Sequence, residues 1–265
     1  MSQSFEIILR VGCAPLVFAA MALWEWFAPR RKLIAGRRPR WPGNLAIFAI
    51  DIVALRLLIP TAAVGVALIA SAHGWGLYAL FGLPGWVPII AGVIALDLVI
   101  YIQHYIFHHV PLLWRLHRMH HADLDIDVTT GVRFHPLEIL LSLAIKMAAV
   151  IALGVPALAV LIFEVLLNVT SIFNHSNVAL PPRLEHVARW IVVTPQMHQV
   201  HHSIERGETD SNFGFNLPWW DRLFGTYRAQ PAAGEQNMKI GLPIFRDIAE
   251  LRVVRLLTQP FRNAD

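Results

Sequence analysis

Residues 85–109 read GWVPIIAGVIALDLVIYIQHYIFHH. From Gly85 to His108 the run is apolar and long enough to cross a bilayer, since a spanning helix needs about 20 mostly apolar residues. It carries a single acid, Asp97, and it ends in His104 and His108 before Pro111 closes it. A lipid-facing helix with imidazoles at one end is the element around which the rest of the chain is read.

The neighbouring segments repeat its character. Of 265 residues, 56% are hydrophobic and only 15% charged, which is more apolar and less charged than soluble domains. Phe5 to Phe27 is apolar apart from Glu6, Arg10 and Glu25, lacks a signal-peptide start and cleavage site, and reads as a retained first span. Asn44 to about Ala72 is a second run, with Asp51 and Arg56 spaced as an intramembrane pair. Gly74, Gly76, Gly82, Pro84 and Gly85 then form a neutral, turn-rich connection. Leu137 to Leu153 and Ala157 to Phe173, separated by Gly154 and Pro156, are short, and read as two tilted crossings or one hairpin that dips into the bilayer. These runs predict an all-α integral membrane bundle of about four transmembrane helices, or three plus a short hairpin, with a cytosolic helical cap that carries the histidines.

Charge sets the expected orientation. Arg30, Arg31, Lys32, Arg37, Arg38 and Arg40 crowd into the loop after the first run, and a basic cluster beside a span marks the cytoplasmic side and favours anionic headgroups. Its membrane-flanking position argues against nucleic acid as the partner. Counting crossings from that loop brings His104 to His135, and His175 onward, to the same cytoplasmic side. The single cysteine, Cys13, excludes an internal disulfide and any cysteine-based iron–sulfur or zinc site.

Ten of the thirteen histidines sit in four groups. His104 and His108 make His-x3-His, followed by His109. His117, His120 and His121 make His-x2-His-His, and His198, His201 and His202 repeat it. His175 stands in Asn-His-Ser-Asn. At about 100° per residue, the imidazoles of each His-x2-His-His box project within an arc of about 100°, a face that can grip one or two metal ions. Pro111 opens the helix carrying the second box, and Thr194 with Pro195 supplies the cap and first-turn proline of the last. His104, His108, His117, His120, His121, His175, His198, His201 and His202 are thus nine candidate ligands, more than the four or so that one zinc takes. Nine imply two metals. Two irons in a nitrogen shell suit oxygen activation, and two zincs suit hydrolysis. A bis-histidine haem protein would instead place single histidines in mid-span, and the His-Glu-x-x-His signature of membrane metalloproteases is absent.

Asp97-x3-Tyr101-x2-His104-x3-His108, the box at His117 to His121, Arg133-Phe134-His135-Pro136, Phe173-Asn174-His175-Ser176-Asn177, Thr194-Pro195-x2-His198-x2-His201-His202, and Asn212-Phe213-Gly214 through Trp220-Asp221-Arg222-Leu223-Phe224-Gly225-Thr226 resemble the sterol desaturase and fatty acid hydroxylase superfamily, in particular its bacterial members. The resemblance covers residues 97–228. It implies a non-haem di-iron centre on the nine histidines, O2 as co-substrate, and attack on a C–H bond of a membrane lipid, fatty acyl chain or sterol-like substrate. Gln103 and Gln199 depart from the residues frequent in relatives at those places. With no dinucleotide fingerprint and no cysteine cluster, the electrons are expected from a separate reductase, ferredoxin or cytochrome. The expected divisions are 1–84 for N-terminal helices and basic loop, 85–230 for the catalytic domain, and 231–265 for a C-terminal cytosolic tail. The expected location is a bacterial inner membrane.

Around the ligands, Asp97, Asp221 and His135 are expected to orient imidazoles. Asp123, Asp125, Asp127, Glu138 and Asp210 read as solvated loop charges, and His73, His109 and His186 as ordinary surface or interface residues. Phe213, Phe215, Trp219 and Trp220 fit either an interfacial aromatic belt or packing over the metal site.

Overall fold

The computed structural model describes residues 3–59, 62–82 and 84–263, with side chains from Gly12 onward except Ala62. Among them the only β feature is an isolated bridge between Ser203 and Ile240. The fold is helical: α1 Gln3–Phe27, α2 Arg37–Leu58, α3 Ala62–Ala72, α4 Leu77–Phe81, α5 Val87–His109, α6 Pro111–His121, α7 Pro136–Leu153 and α8 Ala157–His175, followed by the short helices α9 Pro182–Ala188, α10 Pro195–His201, α11 Arg206–Thr209, α12 Trp219–Leu223 and α13 Val253–Thr258. Four segments are long and apolar enough to span a membrane: the stretch from Arg37 to Phe81, then α5, α7 and α8. The all-α membrane bundle expected from the apolar runs is the observed fold.

The second apolar run is divided, α2 ending at Leu58 and α3 beginning at Ala62, while Pro60 and Thr61 lie outside the described residues. Asp51 and Arg56 do not pair as expected. Five residues apart on a helix, they diverge by about 140°; Asp51 turns into the bundle and Arg56 stays exposed.

α7 and α8 form a hairpin of near-full span length, about 27 Å per arm at the usual helical rise. Gly154 ends α7 in the left-handed region (φ 71°), and Pro156 caps α8. The tip packs against the turn that ends α3, where a Cβ on Gly76 would come within 2.1 Å of the Gly154 nitrogen. The hairpin therefore reaches the level at which the second run ends. Leu96 and Ile100 of α5, Leu143 and Val150 of α7, and Ala159, Val160 and Phe163 of α8 are its buried core. At Gly92, α5 approaches α8 so closely that a Cβ would meet Val155 at 2.8 Å. Lys146 and Glu164 pair across the two arms at 2.7 Å. Outward faces remain apolar, with Leu57, Leu68 and Ile90 exposed, as hydrocarbon requires of a bundle whose backbone bonds are satisfied within its helices.

At the opposite end, the C-terminus of α5, all of α6, the start of α7, the end of α8 and α10 meet. The C-terminal residues close over this cap. Leu256 of α13 packs with Ile47 of α2 and Met119 of α6, and Arg118 donates to the Gln259 carbonyl at 2.8 Å.

Because Gly76 also sits at φ 97°, Gly76→Ala is expected to cost at least ~1–3 kcal/mol through overpacking and strain, seen as a lower apparent Tm in detergent. Gly85→Ala, with no atom near its Cβ position, is expected to leave Tm unchanged.

Candidate metal centre

The nine histidines meet in two groups. His104, His108, His117, His121 and His201 form one; His120, His175, His198 and His202 form the other, and within each group the ligand atoms lie within 4.8 Å of one another. All nine are buried. The two His-x2-His-His helices contribute in opposite senses: α6 gives its i, i+4 pair to the first group and His120 to the second, while α10 gives its i, i+4 pair to the second and His201 to the first. A box that spans about 100° of arc thus serves two centres.

Hydrogen bonds settle which nitrogen carries the proton. His104 Nδ1 faces the Phe213 carbonyl at 2.7 Å, His175 Nδ1 that of Ser171 at 2.7 Å, His201 Nδ1 that of Ser211 at 2.7 Å, and His120 Nδ1 that of Arg133 at 3.0 Å. His117 Nδ1 faces Glu138 Oε1 at 2.7 Å and His108 Nδ1 faces Asp210 Oδ1 at 3.1 Å. A carbonyl or carboxylate only accepts, so each Nδ1 donates and each Nε2 keeps its lone pair in the neutral ring. Those lone pairs point at one another: Nε2 of His104 and His117 are 3.0 Å apart and of His120 and His175 3.1 Å, while His198 Nε2 lies 2.9 Å from that of His175. Nε2 of His108, His201 and His202 has no hydrogen-bond partner among the described residues. Burial, reinforced by neighbouring imidazoles, holds His120, His121, His198, His201 and His202 well below the usual histidine range, so protons do not fill the gap. Converging neutral imidazoles of this kind fit divalent transition metals.

The acceptors are positioned in turn. Asp97 and Asp221 do not meet the imidazoles as expected; they hold the loop that does. Asp221 accepts from Phe213 N at 2.8 Å and Gly214 N at 2.9 Å, and Asp97 from Asn216 Nδ2 at 2.8 Å and Trp220 Nε1 at 2.8 Å. His135 is also one step away: its ring accepts from Leu137 N and faces the Leu257 carbonyl, while its neighbour Arg133 supplies the carbonyl for His120. Phe213 and Phe215 pack on His104, and Phe134 stacks on His120 with centroids 4.3 Å apart. Trp219 lies half exposed and donates to the Trp190 carbonyl. Thr194 caps α10 by accepting from Met197 N.

The acids read as solvated charges are corrected by the structure. Glu138 is buried against His117; an acid on the first turn of an apolar helix was its available signal. Asp123, Asp125 and Asp127 are buried around the basic loop. Fully buried Arg40 donates to Asp123 at 2.7 and 2.8 Å and to Asp127 at 2.5 Å, and Asp125 accepts from the backbone of Ile34, Ala35 and Gly36. Burial alone would raise the Asp123 carboxyl, but Arg40 and Arg133 outweigh it and hold it below the ordinary carboxylate range. Asn44 joins this network to Arg133, taking its guanidinium at 2.8 Å. Part of the basic cluster is thus internal, while Lys32 and Arg38 remain exposed. His73, His109 and His186 are exposed and away from both groups.

A cavity of about 210 Å³ lies between α2, α5, α7 and α8, with His104 and His117 at its inner end and partly exposed Phe48 and Ile52 on its α2 wall.

The sequence model of the fatty acid hydroxylase family matches residues 89–226, just over half of the chain and all nine histidines. The chain belongs to that family. Among its relatives are the ornithine lipid hydroxylase OlsE of Rhizobium tropici, 28% identical over 57% of this chain and 45% of its own, and human alkylglycerol monooxygenase, 28% identical over 59% and 34%. The Xenopus tropicalis alkylglycerol monooxygenase is 30% identical over 62% and 36%. The chain spans less than half the length of these relatives. No solved structure matches it.

Arg40→Met would leave the Asp123 and Asp127 carboxylates buried without their cation. Breaking a buried pair from one side costs about 3–5 kcal/mol, so a large drop in apparent Tm is expected, against no measurable change for Arg38→Met on the exposed side of the same helix.

Proposed function

We propose that the protein is an O2-dependent, non-haem di-iron oxidoreductase that hydroxylates or desaturates a C–H bond of a membrane lipid, a fatty acyl chain or sterol-like molecule. The observation that carries this reading is the convergence of nine buried imidazoles into groups of five and four. His104, His108, His117, His121 and His201 would hold one iron, and His120, His175, His198 and His202 the other. Bound there, iron supplies the redox chemistry by which O2 reaches an unactivated C–H bond. The family match and the two lipid-modifying relatives support oxidation over hydrolysis.

The chain's own residues do the positioning. Glu138 takes the Nδ1 proton of His117, and the Phe213, Ser171, Ser211 and Arg133 carbonyls take those of His104, His175, His201 and His120; each bond fixes a ring and makes its Nε2 a better donor to a metal. Ile100, Phe107 and Phe134 wall the cavity beside His104 and His117. An alkyl chain entering past Phe48 and Ile52 would lie on those walls with water displaced, its reacting carbon against the five-histidine group. Residues 85–230 would form the catalytic part.

Insertion of one oxygen atom and reduction of the other to water consumes two electrons and two protons, as does desaturation with release of two waters. A separate reductase, ferredoxin or cytochrome would supply the electrons. Exposed Lys32 in the loop before α2 and Arg38 in its first turn support a multi-pass placement in a bacterial inner membrane with the metal centre toward the cytoplasm.

Lipid profiling of membranes with and without the protein, under 18O2, tests the reading. Label in a new lipid hydroxyl establishes hydroxylation, and a new unlabelled double bond establishes desaturation. An unchanged lipid profile in iron-replete membranes supplied with reductant contradicts it.

A further inference from the structure

The cavity wall is not uniformly apolar. Asp51 enters it from α2, 4% exposed, and forms no hydrogen bond to the protein among the described residues. From α5, Gln103 donates its amide to Ser142 of α7 at 3.0 Å, which leaves its carbonyl oxygen buried and unpaired. Glu138, committed through one oxygen to His117, has its other oxygen buried and unpaired in the same space. Three helices thus direct polar groups into one cavity, and the buried side-chain atoms there that lack a partner among the described residues are all oxygens. Placing such groups in a hydrophobic chamber without donors costs free energy, and ionisable groups at membrane depth mark binding positions.

We propose that Asp51 and Gln103 form a polar subsite for an O–H or N–H donor on the substrate, so that the preferred lipid carries such a group within a few carbons of the one that reacts. The inference rests on the lipid-oxygenase reading for what the bound molecule becomes, but not for its binding. A plain hydrocarbon chain leaves the acceptors unpaired. A hydroxyl, amide or ammonium satisfies them and fixes how far the chain advances toward His104 and His117, which makes the subsite a determinant of both selectivity and position of attack.

Binding to the full chain in lipid nanodiscs tests this with hexadecanol and hexadecyl methyl ether, which differ in the donor alone, and with hexadecylammonium to separate a neutral donor from a charged one. Displacement of tritiated hexadecanol is the readout. The alcohol, the ammonium or both are expected to bind about tenfold more tightly than the ether, the scale of one buried hydrogen bond. Asp51→Leu is expected to bring the ratio close to one by weakening the donor probe and strengthening the ether, and Asp51→Asn, which retains an acceptor, to restore part of it. Gln103→Leu, on a partly exposed side chain, is expected to reduce the ratio severalfold and carries the test if Asp51→Leu fails to fold. Equal binding of all probes to the unmodified chain, or a ratio unchanged in a folded variant, overturns the subsite. Donor-selective binding without 18O labelling would sink the oxygenase reading and leave the subsite standing. Indifferent binding with labelling would do the reverse.

Discussion

Lone pairs on neutral imidazoles repel when they face each other, and here the Nε2 atoms of His104 and His117, and of His120 and His175, face each other at about hydrogen-bond distance while each Nδ1 is engaged elsewhere. In six of the nine rings the proton is drawn to the far side by a carbonyl or carboxylate. Cations held at the two foci would relieve that repulsion. Much of the cap can be understood as what is needed to hold nine rings in that otherwise unfavourable geometry.

Four chain segments must therefore end at one place. α5 and α8 deliver His104, His108 and His175 at their bundle ends, while α6 and α10 lie across those ends and serve both groups at once. The loop that follows α11 contributes no ligand but provides the Ser211 and Phe213 carbonyls, and Asp97 and Asp221 anchor that loop to the bundle. The Arg40 network does the corresponding work beneath His120, linking the start of α2 through Asp123 and Asn44 to Arg133. Fold and site are inseparable in this sense, because the polar residues that close the bundle are the ones that orient the rings.

The helices and the ligand candidates were legible because both are periodic: apolar runs of spanning length, and imidazoles at spacings of three and four. Capping was legible for the same reason at Pro111 and Thr194. The orienting groups were not. Most are backbone carbonyls, which leave no trace in residue identity, and Asp97 and Asp221 act through a loop whose path no local pattern specifies. Asp123 and Asp127 stand in a polar stretch that looks solvated until Arg40, some eighty residues earlier, is folded onto it. Asp51 is visible in the sequence as an acid within an apolar run, but its five-residue spacing from Arg56 does not encode their directions around the helix.

The claim on which the account depends is that the two histidine groups hold two irons. Metal content of the purified full chain, measured by mass spectrometry beside its visible spectrum, tests it most directly. Iron at about two per chain, no Soret band, and loss of iron from His175→Ala, a change confined to the four-histidine group, are the expected results. Zinc in place of iron, a haem spectrum, or a full complement of iron in that variant would contradict it.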